Sequence, residues 1–99
     1  MAPVQYNFEW DPVKARSNRI KHGVSFEEAA TVFCDSQMLV LYDDEHSDFE
    51  DRWITLGVSA TGRLLAVCHT FRQQSEESAT IRIFSSRKAT KREGGQYEG

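Results

Sequence analysis

The chain has 99 residues, 39% of them hydrophobic and 11% aromatic, which suffices for one modest core but not for two. We therefore expect a single domain over residues 1–99, with flexible ends at 1–7 and 94–99. No apolar run approaches the ~20 residues of a membrane span, and the N-terminal segment lacks a signal-peptide layout, so a cytoplasmic protein without a membrane partner is expected. Cys34 and Cys68 lie in apolar surroundings without a CxxC spacing, which favours buried, reduced thiols over a disulfide.

The formal net charge of −3 conceals two opposite regions. Between Gly23 and Asp51 there are nine acidic residues and no Lys or Arg, whereas the remainder holds all 12 basic residues and six acidic ones. This asymmetry suggests one anionic and one cationic surface with different partners. Alternatively, both sets are ordinary solvated faces that mix in three dimensions.

The first half of the chain predicts a short aromatic strand at 8–10 and a helix over 12–22. Asp11 is placed to cap the helix N-terminus, and Pro12 suits the first helical position. Gly23 suits the left-handed conformation that ends a helix. The apolar stripe of this helix is thin and holds two residues: Val13 and Ile20.

A second helix is predicted by a capping box, in which Ser25 and Glu28 occupy the N-cap and third helical positions. Four apolar residues follow the spacing of one buried helical face: Phe26, Ala29, Ala30 and Phe33. Two helices joined at Gly23 form a helical hairpin.

Beyond residue 36 the hydrophobic period changes to two, and four strands are predicted: 38–42, 52–58, 64–72 and 80–84. A hairpin turn at 59–62 places Gly62 where a positive φ is favourable. Short connections between the strands favour an antiparallel meander with the helical hairpin on one face, an α+β fold. A short C-terminal helix is expected to end at Gly94–Gly95.

The segment 81–97, IRIFSSRKATKREGGQY, is the most informative part of the chain. An apolar strand runs through two serines into the short helix, and five cations fall within eleven residues: Arg82, Arg87, Lys88, Lys91 and Arg92. Packing does not require this density of cations, whereas binding to a polyanion would explain it, because phosphates need cationic hydrogen-bond donors.

Three segments together resemble the BrnT family of bacterial type II toxins over about residues 8–97: FEWDPVKARSNRIKHGVSFEEAATVF, the RW-I-T-L-G strand, and IRIFSSRKATKRE…Y. The resemblance implies a RelE-like toxin fold, RNA cleavage, and neutralisation by an antitoxin encoded beside the toxin. Such an antitoxin, BrnA-like, typically carries a ribbon-helix-helix module, so operator DNA would be reached only through it. The segment 84–86 departs modestly from the family's aliphatic-Ser-Ala pattern.

The family's motif arginines map onto Arg52, Arg82 and Arg87, and its closing residues onto Glu93 and Tyr97. The resemblance thereby implies that these arginines contact the scissile phosphate, while Arg52 could instead pair with a neighbouring acid. For Glu93 we favour a structural role, in which it pairs with a strand arginine and fixes the helix. Tyr97 could stack on a base, donate a proton, or simply fill a packing gap.

Metal-free RNA cleavage needs removal of the 2′-hydroxyl proton, stabilisation of the phosphorane, and protonation of the leaving oxygen. Arginine suits the second task because its fork pairs with two phosphate oxygens at once. No cofactor or metal is expected, since the histidines and acids show no ligand spacing. Further RNA contacts are assigned to seven residues: Lys21, His22, Arg63, Arg72, Lys88, Lys91 and Arg92.

The three histidines have competing interpretations. His69 lies either within an apolar row or along a groove where it could be catalytic, and strand alternation does not decide. His22 could titrate near neutrality beside Lys21, or merely interact with the helix dipole. His46, in the acidic loop, is expected to be solvated.

Two function classes therefore remain open at this point. The first is an endoribonuclease toxin that cuts RNA without a metal. The second is a catalytically inactive, toxin-like binding module that acts as a co-repressor with its antitoxin. A convincing general base would separate them, and none is evident in the sequence. A DNA-binding regulator fits less well, because the second helix is acidic.

Overall fold

The computed structural model describes residues 5–98, which form a five-stranded mixed sheet and three α-helices. The elements in chain order are β1 Gln5–Glu9, α1 Pro12–His22, α2 Phe26–Thr31, β2 Leu39–Tyr42, β3 Trp53–Val58, β4 Leu64–Gln73, β5 Ser78–Lys88 and α3 Lys91–Glu98. Two short 3-10 helices lie at Val32–Cys34 and Asp44–His46. The α+β class is confirmed. In the described part of the chain, none of the helices is both long and apolar enough to span a membrane.

The prediction of a four-stranded sheet is wrong, because the first strand joins the meander. The strand order is β1-β5-β4-β3-β2, and β1 pairs in parallel with β5, so that Gln5 lies opposite Ser78 and Glu9 opposite Arg82. Alternation within one short strand does not reveal a partner this distant along the chain. Residues 5–7, expected to be flexible, belong to β1, while 1–4 and 99 lie outside the described residues. The RelE-like assignment stays a prediction.

The helix ends follow the predicted capping. Asp11 accepts a hydrogen bond from the amide of Val13 at 2.9 Å, and Gly23 ends α1 with φ of 69°. Ser25 accepts from the amide of Glu28 at 3.0 Å. The capping box is only half formed, because the Glu28 carboxylate turns to Arg63 instead of back to the N-cap.

The expected apolar stripe of α1 is wrong, because Val13 and Ile20 are both largely exposed. The buried residue is Asn18, whose side chain forms a two-way pair with the backbone of Ser86. The amide nitrogen of Asn18 donates to the Ser86 carbonyl at 2.8 Å, and its oxygen accepts from the Ser86 amide at 3.1 Å. A helix side chain therefore takes the place of a neighbouring strand at this edge of β5.

The last strand and the last helix are both longer than predicted. β5 continues beyond the predicted end at residue 84, through both serines to Lys88, so Arg87 lies within the strand. The pairing with β4 shifts between Cys68 and His69, which leaves Phe84 as an extra residue in β5. Such a bulge reverses which face the following side chains occupy. α3 runs through Gly94 and Gly95 to Glu98, so neither glycine ends it.

The hydrophobic core lies between the sheet and α1, α2 and the first 3-10 helix. We call this side of the sheet the helix face, and it carries Leu65, Val67 and His69 of β4. The opposite side, the outer face, carries the alternate residues of β4, and α3 covers one end of it, where Gly94 approaches Leu64. Both cysteines are free, but the expected burial is wrong for Cys34, which is exposed.

Candidate active site

The outer face of the sheet gathers the predicted phosphate-binding arginines. Arg82 lies opposite Thr70 and Arg87 opposite Ala66, and both β4 partners point away from the helix face. Arg52 precedes β3 with the same alternation as Ile54, which pairs with Cys68. The three arginines, two from β5 and one from the start of β3, therefore share the outer face of the sheet. The bulge keeps both β5 arginines on this face.

The aromatic ring of Phe84 is the point on which the cations of this surface converge. The guanidinium of Arg52 lies over the ring at 4.1 Å from its centroid, and that of Arg82 lies at 5.9 Å. The ammonium of Lys14, from α1, lies at 5.3 Å. Cation–π contacts of this kind orient the cations while leaving their hydrogen-bond donors free for an anion.

Arg52 and Arg82 have weak carboxylate partners. Arg82 lies 3.6 Å from Glu9, and Arg52 lies 3.8 Å from Glu50, and both acids are more than half exposed. These distances exceed a hydrogen bond, and exposed pairs of this kind contribute little free energy. Within residues 5–98, the buried Nε of Arg52 has no hydrogen-bond partner. Within the described residues, neither guanidinium group is therefore held by a hydrogen-bonded carboxylate.

A carboxylate–imidazole pair, which sequence reasoning missed, lies beside Arg52. His46 Nδ1 and Asp43 Oδ2 are 2.9 Å apart, with the aspartate side chain 10% exposed and the imidazole 62% exposed. His46 and Arg52 line the same cavity of about 230 Å³. The Ser47 hydroxyl accepts from the Arg52 amide at 3.0 Å and fixes the loop. The signal available in the sequence was the Asp43–His46 spacing of three residues, within one turn of a 3-10 helix.

Arg87 differs from the other two arginines because a carboxylate holds it. Its Nη1 and Nη2 donate to the two oxygens of Glu93 at 2.6 and 3.0 Å. This fork raises the pKa of Arg87 and lowers that of Glu93. Glu93 also accepts from the amide of Thr90, whose hydroxyl accepts from the Glu93 amide. The geometry supports the structural role expected for Glu93, which ties α3 to β5.

The hydroxyl of Tyr97 is engaged by an aspartate rather than by one of the arginines. Its hydroxyl donates to Asp35 Oδ2 at 2.6 Å, and the same oxygen accepts from the Val58 amide at 2.9 Å. The hydrogen bond to the Asp35 carboxylate raises the pKa of Tyr97, which makes it a poor base. This arrangement indicates that Tyr97 attaches α3 to Asp35, and it does not support the predicted catalytic role.

The predicted catalytic role of His69 is corrected by its position on the helix face. The side chain is 2% exposed and packs edge-on against Phe33 at 5.0 Å. Nδ1 lies 3.0 Å from the Thr70 carbonyl and Nε2 lies 2.7 Å from the Thr55 hydroxyl. A neutral ring with its proton on Nδ1 satisfies both contacts, and burial lowers the pKa of His69. Its role is therefore in packing.

Arg63, assigned to RNA contact from the sequence, is also corrected. Its Nε donates to Glu28 Oε2 at 3.0 Å, its Nη2 bonds to the other Glu28 oxygen, and it reaches the Gly23 carbonyl at 3.1 Å. The Arg63 fork lowers the pKa of Glu28 from the usual 4.5 to about 2. The interaction joins the β3–β4 hairpin to α2, so we assign it to stability.

The remaining predicted RNA contacts are distributed over the surface. Lys21 and His22, in the last turn of α1, line a groove beside Phe84. Exposed cations at the ends of β4 and β5 and in α3 complete the set: Arg72, Lys88, Lys91 and Arg92. Within residues 5–98, no group of three or more His, Cys, Asp or Glu residues is placed to hold a metal ion.

Comparison with known proteins places the chain in a family. A search of curated protein sequences finds no match. The crystal structure of the ribonuclease toxin BrnT from Brucella abortus is similar, with a TM-score of 0.54 and 22% sequence identity over 92% of this chain and 99% of that chain. At this identity the likeness concerns the fold. A family model for the ribonuclease toxin BrnT of type II toxin–antitoxin systems matches residues 10–93. The chain therefore belongs to the BrnT family of type II ribonuclease toxins.

Proposed function

We propose that this protein is an endoribonuclease toxin that cuts RNA without a metal, by attack of a 2′-hydroxyl on the adjacent phosphate. The observation that carries the proposal is the convergence of Arg52 and Arg82 on Phe84, on a sheet face where no carboxylate of residues 5–98 forms a hydrogen bond with either guanidinium. The BrnT family supplies the coarser assignment of a ribonuclease toxin.

In this mechanism Arg52 and Arg82 bind the non-bridging oxygens of the scissile phosphate. Their charge stabilises the phosphorane more than the ground-state phosphate, because negative charge accumulates on those oxygens during attack. Arg87, whose charge is neutralised by Glu93, does not bind the phosphate in this proposal and instead holds the end of the same face in place. Four exposed cations provide further backbone contacts in this proposal: Arg72, Lys88, Lys91 and Arg92.

His46 is the residue that we assign to proton transfer. The Asp43 carboxylate accepts from Nδ1 and so leaves Nε2 free to take the 2′-hydroxyl proton. The imidazolium then donates this proton to the leaving 5′-oxygen, so that the proton removed from the 2′-hydroxyl ends on the 5′-hydroxyl product. The large exposure of His46 lets a polymer reach it, and the shared cavity places it beside Arg52.

The mechanism is tested by incubating the purified protein with single-stranded RNA in EDTA and mapping the ends. The expected products carry a 2′,3′-cyclic phosphate and a 5′-hydroxyl. Products with a 3′-hydroxyl, or cleavage that requires an added divalent ion, would contradict the proposal. Complete absence of cleavage, together with growth that continues on induction, would favour the inactive co-repressor.

The assignment of His46 has its own test. His46→Gln and Asp43→Asn should each lower the cleavage rate by roughly 100-fold, in the range for a general acid–base group. The matched control is His69→Gln, which alters a histidine of the helix face. A wild-type rate for His46→Gln would remove His46 from the mechanism.

A type II toxin has an antitoxin partner, and we propose a BrnA-like protein with a ribbon-helix-helix module, through which operator DNA is reached. A cationic outer face is best neutralised by an acidic antitoxin segment. Co-expression of the neighbouring gene should rescue growth, and the complex should weaken as salt increases. An affinity that is unchanged from low to high salt would contradict direct occupation of the arginines.

A further inference from the structure

We infer that the groove between α1 and β5, the α1–β5 groove, binds the nucleotide next to the scissile linkage, with its phosphate on Lys14 and Lys21 and its base against Phe84. This inference rests on the proposed function. It extends the path of the RNA from Arg52 and Arg82 across the edge of the sheet and onto the first helix.

The groove has the dimensions and chemistry of a nucleotide site. Its volume is about 300 Å³, and its polar lining comes from Lys14, Ser17, Lys21 and His22 of α1 with Ser85 of β5, beside the Phe84 ring. Lys14, Ser17 and Lys21 recur three or four positions apart and so share one helical face. Among the described residues that line it, none is acidic. Two ammonium groups, an imidazole and two hydroxyls suit a phosphate, and the ring suits a base.

The topology explains why this edge of β5 is accessible. Pairing with β1 ends at Arg82, and the side chain of Asn18 satisfies the backbone of Ser86. Within residues 5–98, the edge of β5 has no strand beside it between these two points, and the bulge at Phe84 lies within this gap. The fold therefore opens a recess at the place where the aromatic ring is presented.

The Phe84 ring connects the groove to the arginines. It lines the groove, and it contacts Arg52 at 4.1 Å and Lys14 at 5.3 Å. A single strand whose scissile phosphate lies on Arg52 and Arg82 can therefore place the adjacent nucleotide in the groove. Single-stranded RNA is bound in this way elsewhere, by a cationic track that follows the backbone and aromatic rings that contact bases.

The experiment measures binding separately from cleavage. The probe is a short single-stranded RNA with 2′-O-methyl groups, which cannot be cut by 2′-hydroxyl attack, and its affinity is measured by fluorescence anisotropy over a range of salt. Lys14→Gln/Lys21→Gln is compared with Arg16→Gln/Arg19→Gln, which removes the same charge from residues of α1 that do not line the groove. Thermal denaturation of each variant establishes that it is folded.

We expect the Lys14/Lys21 variant to bind about tenfold more weakly and to show a salt slope smaller by roughly 0.7–1.4, as for loss of one or two phosphate contacts. The Arg16/Arg19 variant should change affinity by about twofold. Phe84→Leu should weaken binding at least about fivefold with an unchanged slope, because stacking does not release counterions.

Equal losses of RNA affinity in the Lys14/Lys21 variant and the Arg16/Arg19 variant would overturn the assignment of the groove. Only long-range charge, and no local contact, would then account for the losses. A wild-type affinity for Phe84→Leu, with displacement of the RNA by inorganic phosphate at constant ionic strength, would reduce the groove to an anion pocket and overturn the nucleotide assignment. Cleavage of unmodified RNA by the wild type in either case would show that the proposed function stands without the groove. A wild-type protein that neither binds nor cuts RNA would contradict both the proposed function and the nucleotide-binding groove.

Discussion

Two pairs of arginines in this protein have the same side chain and opposite surroundings. Arg63 and Arg87, the locked pair, each direct a fork at one carboxylate, Glu28 or Glu93, within hydrogen-bond distance. Arg52 and Arg82, the open pair, lie over an aromatic ring, and the described residues place no carboxylate nearer to them than 3.6 Å. The comparison shows that a cationic sequence pattern does not identify a binding site. The nearest carboxylate decides whether an arginine stabilises the fold or remains available to a ligand.

The largest expected effect comes from removing a member of the open pair. Arg82→Ala should lower the RNA cleavage rate by about 100-fold or more, as for loss of one transition-state donor. Its melting temperature should stay close to that of the wild type, because the ion pair with Glu9 is exposed. Arg82→Lys should recover part of the rate, since the charge remains but the fork is lost. Full cleavage by Arg82→Ala would show that the open pair is not the phosphate site.

Removing a member of the locked pair should have the opposite outcome. Arg63→Ala should lower the free energy of unfolding by about 2–3 kcal/mol, because the mostly buried Glu28 carboxylate loses its partner. Cleavage per folded molecule should not change. Denaturant unfolding and active-site titration measure the two quantities. The double variant Glu28→Gln/Arg63→Gln should lose less than the sum of the two single variants, since no charge is then left unpaired.

Acid should weaken the locked pair in a defined window. The pKa of Glu28 is lowered from 4.5 to about 2 in the folded protein. The contribution of Glu28 to stability is therefore fully present above pH ~4.5 and is lost as the pH falls towards 2. Because Arg63 is partly exposed, solvent screens its attraction to Glu28. We therefore expect the free energy of unfolding to fall by roughly 1–2 kcal/mol over this pH range. Glu28→Gln should lack this component, so parallel pH profiles for variant and wild type would contradict the assignment.

The smallest expected effect comes from breaking the ion pair between Arg87 and Glu93. Glu93→Gln removes the charged fork on Arg87 and weakens the hydrogen bond to the Thr90 amide. We expect a loss of about 1 kcal/mol that is confined to α3, since helix caps contribute on that scale. Hydrogen exchange at the amides of Lys91–Glu98 should accelerate while that of β4 stays slow. Uniform acceleration over the whole sheet would show that α3 stabilises the entire fold.

Local signals in the sequence predicted much of the fold. Asp11, Ser25, Gly23 and Gly62 act within a few residues of themselves, and the structure places the caps and the positive φ angles where expected. The strands of the meander were found because alternation is a property of each strand alone. Pairing of β1 with β5 was missed because it depends on contacts between distant segments.

The site was predicted only in part, for physical reasons. The arginines of the open pair could be identified by residue type and resemblance, but Arg63 could not be separated from them without seeing Glu28. Strand alternation left His69 undecided because both faces of β4 contain buried residues. His46 was expected only to be solvated in the acidic loop, because its pairing with Asp43 depends on the fold of that loop.

The parallel pairing of β1 with β5 has a consequence for folding. Gln5 pairs with Ser78, so β1 joins the sheet through contacts between distant segments of the chain. Contacts of such large sequence separation slow folding. The β3–β4 and β4–β5 pairs, in contrast, are joined by short connections. We therefore expect the meander to form first and β1 to complete the sheet last, so that Glu9 arrives opposite Arg82 only at the end of folding.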